Sequence, residues 1–125
     1  MPILNITRHK ATQGQLDDGV VDLPEYIIDR INRLCTFQPI PTLQELRICA
    51  EKVVDILEEL NHPDVDGVMC GGAPYFNAIL DRALISRGFV PHYPFTVRNY
   101  IHTKAINGKT TQEAVYVHMG LVKTA

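Results

Sequence analysis

The spacing of apolar and polar positions changes several times along this chain, and each change marks an element. The opening run, Pro2-Ile3-Leu4-Asn5-Ile6-Thr7, is short, mostly apolar and rich in β-branched residues, and it predicts a strand. It runs out into Thr7-Arg8-His9-Lys10, a dense polar and cationic cluster at a strand end. Thr12, with Gln15 three residues on, makes a capping-box pair and predicts a short helix or turn over residues 12–18. Gly19-Val20-Val21-Asp22-Leu23 reads as a brief strand or an extended crossing segment. Pro24 opens a helix over residues 24–35, with Ile27, Ile28, Ile31, Leu34 and Cys35 on one side and Asp29, Arg30, Asn32 and Arg33 on the other. Pro39 and Pro41 break the chain. Thr42 and Glu45 then cap a helix that should run to residue 61. Its Leu43, Leu46, Ala50, Val53, Leu57 and Leu60 recur at spacings of three and four, a stripe better suited to core packing than to a partner seam.

From Val65 to Cys70 the pattern becomes an apolar run interrupted only by Asp66 and Gly67, as in a buried strand. Gly71-Gly72-Ala73-Pro74-Tyr75-Phe76 follows as a glycine turn and a first helical turn, with Pro74 where a missing N–H costs nothing. A helix over residues 74–87 buries Phe76, Ile79, Leu80, Ala83 and Leu84, and Gly88 stops it. The segment from Phe89 to Arg98 is extended and aromatic, and Pro91 and Pro94 give it an edge-like character. A closing hairpin is predicted from residues 100–106 and 112–122 around Asn107-Gly108, with Val115, Val117, Met119 and Leu121 alternating with Tyr116, His118 and Gly120.

This order predicts one α/β domain over residues 1–125, with a Rossmann-like, mainly parallel sheet flanked by helices and a C-terminal β-hairpin. Ligands of such sheets lie beyond the carboxyl ends of the strands. Three of those ends should meet here: Thr7, Arg8 and His9 after the first strand, Gly71 to Tyr75 after the central one, and Thr96 to Arg98 after the aromatic one. The amides of Gly72, Ala73, Tyr75 and Phe76 would form a nest at the positive end of a helix, suited to phosphate. Taken singly, Arg8, Arg98 and His9 are ordinary surface residues, and Gly71-Gly72 is an ordinary tight turn. Only their convergence would make a phosphate-ester pocket.

Composition narrows the ligand. A net charge of −2 over 125 residues does not suit a protein that tracks duplex DNA or long RNA, so phosphate would be held locally and belong to a small ligand. No apolar run is long enough to cross a membrane, and the opening residues lack the pattern of a signal peptide, so a cytoplasmic protein is expected. Cys35, Cys49 and Cys70 are widely spaced among apolar neighbours and read as reduced core residues. No histidine pair has metal-ligand spacing and no serine or cysteine sits in a nucleophile elbow, so neither a metal nor another cofactor is expected.

Two stretches together resemble a known group. One is Leu4 to Gln15 followed by Gly19-Val20-Val21-Asp22-Leu23. The other is Gly88 to Arg98, then Asn107-Gly108-Lys109 and Tyr116-Val117-His118-Met119-Gly120-Leu121. They resemble small single-domain CRISPR-associated proteins of the CARF (CRISPR-associated Rossmann fold) and ring nuclease group, and the similarity covers nearly the whole chain. The resemblance implies a cyclic oligoadenylate ligand and a homodimer holding it across the two-fold axis, and its cleavage would need no metal. It implies His9, Arg98 and His118 as catalytic residues, with Arg98 neutralising the scissile phosphate and His9 or His118 moving a proton. It implies Thr7, Arg8, Gly71, Gly72, Ala73, Tyr75 and Thr96 as ligand-binding residues. Where an acidic residue is expected a few positions after the arginine, this chain has His102. The alternatives are a sensor or sponge that binds the ring without cutting it, an interaction subunit, and an unrelated phosphate-ester-binding protein on the same fold.

Overall fold

The computed structural model describes residues 2–104, 108 and 110–125; the side chains of residues 101–104, 110 and 111 fall outside the described part. The elements run β1 (Ile3–Asn5), α1 (Gln13–Asp17), β2 (Val20–Asp22), α2 (Glu25–Leu34), α3 (Leu43–Leu60), β3 (Gly67–Met69), α4 (Pro74–Ser86), β4 (Pro91–Lys104) and β5 (Thr110–Lys123). The five strands form one sheet in the order β2-β1-β3-β4-β5. The first three pairings are parallel and β4 pairs with β5 antiparallel, so the sheet is mixed although mostly parallel in its pairings.

Local signals set the helix starts. The Thr12 hydroxyl accepts from the Gln15 amide (3.3 Å) while the Gln15 side chain accepts from the Thr12 amide (3.0 Å), a complete capping box. The Thr42 hydroxyl accepts from the Glu45 amide (3.1 Å). Pro74 stands at the first helical position of α4, and α3 closes on Asn61 at φ 46°.

Strand alternation sorts the two faces. Leu4, Ile6, Val68 and Cys70 point into a core with the buried sides of α2, α3 and α4, including Ile27, Ile31, Val53, Leu57, Leu80 and Leu84. The opposite face is thin: Ile3, Val20 and Met69 pack together with Ala11 and Leu121. α1 is the one helix on that side among the described residues. Right-handed crossovers require this split, because the chain steps one way along the sheet from β1 to β2 and the other way afterwards. Arg87, at the end of α4, pairs with Glu51, Asp55 and Glu58 of α3 and ties those two helices together.

Two expectations change. The aromatic segment and the first hairpin strand are one element: β4 runs unbroken from Pro91 to Lys104. Asn99 alone does not interrupt an extended chain. Only Pro91 and His92 pair with β3, and every residue from Pro94 to Tyr100 is exposed. β4 and β5 therefore leave the sheet as a two-stranded arm, bulged between Phe95 and Thr96. At about 3.3 Å per residue, the twelve residues after His92 carry it about 40 Å beyond the carboxyl ends of the parallel strands. Asn107 of the expected turn, and residues 105 and 106 of the expected strand, lie outside the described residues.

Candidate functional site

Between β1 and β3 the sheet changes direction of travel, since β1 leads outward to β2 and β3 leads outward to β4. Their exit loops must part there, and a crevice opens at the carboxyl edge. It holds a cavity of about 650 Å³, within the range of small-molecule sites. Thr7, Arg8, His9 and Lys10 line it from β1, Gly71, Gly72 and Ala73 from β3, and Tyr75 and Phe76 from α4. The end of α2 closes it with Asn32, Cys35, Thr36 and Phe37, and Pro94 at the base of the arm completes the wall.

The loop after β1 is held from below by Asn5, a buried amide in an otherwise apolar strand. Its Nδ2 donates to the His9 carbonyl and to Asp22 Oδ1, both at 2.8 Å. Its Oδ1 accepts from the Thr7 amide (2.9 Å) and the Thr7 hydroxyl (2.7 Å). Asp22 Oδ1 also accepts from the Ala11 amide (3.0 Å), so the loop from Thr7 to Ala11 is pinned at both ends. Arg8 reaches across the mouth, where its Nη2 donates to the Thr36 hydroxyl at 3.1 Å.

The glycine turn behaves as its composition suggests. Gly72 has φ +102°, the left-handed region, and a Cβ there would meet nothing within 4 Å. A Cβ on Gly71 would stand 3.2 Å from Thr7 Cγ2, so the two exit loops approach as closely as this pair permits. Among the described residues, no backbone carbonyl accepts from the amides of Gly71, Gly72, Ala73 or Tyr75. The Phe76 amide, expected to be free, donates to the Ala73 carbonyl at 3.1 Å and leaves the nest. Asn77 Nδ2 donates to the Gly72 carbonyl at 3.4 Å and steadies the turn.

Charge in the cavity is one-sided. Arg8, His9 and Lys10 line it and, among the described residues, no aspartate or glutamate does, although the chain as a whole is net acidic. A second cavity of about 430 Å³ shares the Thr7–Lys10 wall but lies toward β2 and is lined by Asp22, Glu25 and Asp29. The acidic groups are thus segregated from the first cavity by the loop itself. Phe37 clusters with Phe76 (centroids 5.5 Å apart) and Tyr75 (6.3 Å), the rings tilted by 58° and 55°, which gives the first cavity an aromatic side. Cys35 and Cys70 also line it, and burial, the main cause, pushes their thiols up to about 11 and about 12. They stay protonated near neutral pH and offer no thiolate nucleophile.

Of the expected site residues, Thr7, Arg8, His9, Gly71, Gly72, Ala73 and Tyr75 meet in one cavity; Thr96, Arg98 and His118 do not line it. The long arm is the reason. Arg98 lies six residues beyond the β3 pairing, about 20 Å out along the strand. There its guanidinium stands 5.4 Å from the Tyr116 ring centroid, and it donates to the hydroxyls of Tyr100 (3.4 Å) and Tyr116 (2.9 Å). Those hydrogen bonds hold its pKa above the ordinary arginine value. His118, opposite Thr96, turns toward α1, where its Nε2 donates to Asp18 Oδ2 at 2.8 Å. The absent side chain of Gly14 makes room for that ring. The side chain of His102 lies outside the described residues.

Residue-by-residue reading missed Asn5 and Asp22, which place the cationic loop. The available signal was a lone amide inside an apolar strand, since a buried amide needs partners. It also missed Phe37, which sits in a proline-broken connection and becomes a wall only once α2 and α4 are packed.

A family model described as "Uncharacterized protein MJ1673 family" aligns with residues 1–122. No curated protein and no solved structure matches the chain.

Proposed function

The chain belongs to the MJ1673 family, and we propose that it binds a nucleotide-type phosphate ester in the crevice between β1 and β3. One observation carries this reading: a cavity lined by Arg8, His9 and Lys10, free of carboxylates among the described residues, in a protein with net charge −2. Such a cavity favours an anion, and the amides freed around Gly72 supply the directed donors that phosphate oxygens need. The Phe37–Phe76–Tyr75 side suits a stacked base.

The finer reading is a cyclic oligoadenylate, bound by a cytoplasmic homodimer in CRISPR-linked defence. It is supported by the resemblance of the opening and closing segments to the CARF and ring nuclease group. Within that reading, binding without turnover is favoured over cleavage. Of the three side chains expected to be catalytic, His9 lines the cavity, whereas Arg98 is engaged by two tyrosines and His118 by Asp18.

Calorimetric titration of the full chain with cyclic oligoadenylates and with mononucleotides tests both levels. The same mixtures, with and without chelator, are then resolved by chromatography. Tight binding of an intact ring is expected. Linear or 2′,3′-cyclic-phosphate products would replace the sensor reading by the nuclease one. Binding of mononucleotides alone would end the cyclic-ligand reading, and no binding of any of these ligands would end the nucleotide reading as well.

A further inference from the structure

The capping box that opens α1 uses only half of the Gln15 side chain. Its Oε1 accepts from the Thr12 amide at 3.0 Å, which fixes the carboxamide, while its Nε2 donates to no group among the described residues. A buried amide nitrogen ordinarily has a partner, because water given up without replacement costs free energy. Gln15 is only 9% exposed, and it lines the cavity between β1 and β3 together with Thr12. The nitrogen is not sealed in the core, so the space open to it is that cavity.

The carboxamide also has one orientation. Turning it over would set an NH2 group against the Thr12 amide, donor against donor, so the side chain offers the cavity donors and no acceptor. Its place is set from outside as well. α1 has five residues, too few to hold itself, and its one large apolar side chain, Leu16, is exposed. His118 docks it: Nε2 donates to Asp18 Oδ2 at 2.8 Å, and the ring packs on Gly14, where a Cβ would stand 2.9 Å from Cδ2. A donor held at both its own bond and its helix loses little freedom when a ligand arrives.

We propose that Gln15 is a ligand-binding residue whose Nε2–H donates to an oxygen of the phosphate ester in the crevice. This rests on the phosphate-ester reading and deepens it: a neutral, directed donor joins the cations of the Thr7–Lys10 loop and the amides around Gly72.

Gln15→Glu isolates the donor. Glutamate keeps the oxygen that accepts from the Thr12 amide, so the capping box and the fold persist, but an anionic oxygen replaces the free NH2. Calorimetric titration of the full chain with adenosine monophosphate and with cyclic tetraadenylate should show the Kd of the bound probe rise at least thirtyfold, with the urea midpoint unchanged. Gln13→Glu makes the same charge change on an exposed residue of α1 that does not line the cavity, and it should change the Kd less than twofold. Unchanged affinity in Gln15→Glu would overturn the assignment while leaving the phosphate-ester reading in place. An equal loss in Gln13→Glu would overturn it too, because the effect would then be charge acting at a distance. A wild type that binds neither probe would overturn the nucleotide reading and this assignment together.

Discussion

Asn5→Ala is the most direct test of how this chain places its cationic loop. The substitution removes four hydrogen bonds, to the His9 carbonyl, Asp22 Oδ1, the Thr7 amide and the Thr7 hydroxyl, each between 2.7 and 2.9 Å. A net hydrogen bond contributes about 1 kcal/mol, and one to a charged group somewhat more. Thr7 and Asp22 are not fully buried, so water recovers part of the loss. The expected destabilisation is about 3–4 kcal/mol, a large share of the roughly 5–15 kcal/mol typical of a domain. At a urea slope of about 1.5–2 kcal/mol per molar, the unfolding midpoint should fall by about 2 M. Hydrogen exchange adds the local readout: the Ala11 amide, which donates to Asp22 Oδ1, should lose protection before the β3 amides do. Asn5→Asp should be at least as damaging above pH 5, because a carboxylate there would face Asp22 and the His9 carbonyl with no proton to donate. A loss below about 1 kcal/mol with unchanged Ala11 exchange would refute the claim that Asn5 holds the loop.

Other outcomes follow from the same geometry. Gly72→Val should weaken phosphate-ester binding at least tenfold, because a β-branched residue is strained at φ +102° and relief of that strain would move the turn that carries the free amides; unchanged affinity in calorimetry would show that those amides face elsewhere. Arg8→Ala should weaken binding about tenfold, whereas Arg98→Ala should change it less than twofold; the reverse ranking would move the ligand to the arm. Alkaline pH should destabilise the fold. Cys70, raised to about 12, stays protonated when folded but ionises from about pH 9 when unfolded, so its contribution is complete below pH 9 and is lost as pH climbs toward 12. Urea melts between pH 9 and 11 should show a slope that Cys70→Ala reduces by about 1.4 kcal/mol per pH unit, and an unchanged slope would place the thiol in water.

The chain's own pattern determined the helices and the parallel strands, because each is set by local chemistry. Thr12–Gln15 and Thr42–Glu45 satisfy amides of their own helices, Pro74 suits only the start of α4, and the three-four stripe of α3 has one side that can be buried. The polar strand exits at Thr7–Lys10 and Gly71–Tyr75 were legible for the same reason, and β-sheet topology alone brings them into one crevice. Tertiary structure decided the rest. Whether Thr96, Arg98 and His118 join that crevice depends on how long β4 stays beside β3, and strand periodicity says nothing about where a neighbour ends. The Pro91 and His92 pairing is short because β3 itself ends at Met69, so the aromatic segment, alternating as any paired strand does, continues past the sheet with β5 as its neighbour. The segregation of Arg8, His9 and Lys10 from Asp22, Glu25 and Asp29 is likewise a property of the packed loop, since in sequence these charges simply follow one another at modest spacing.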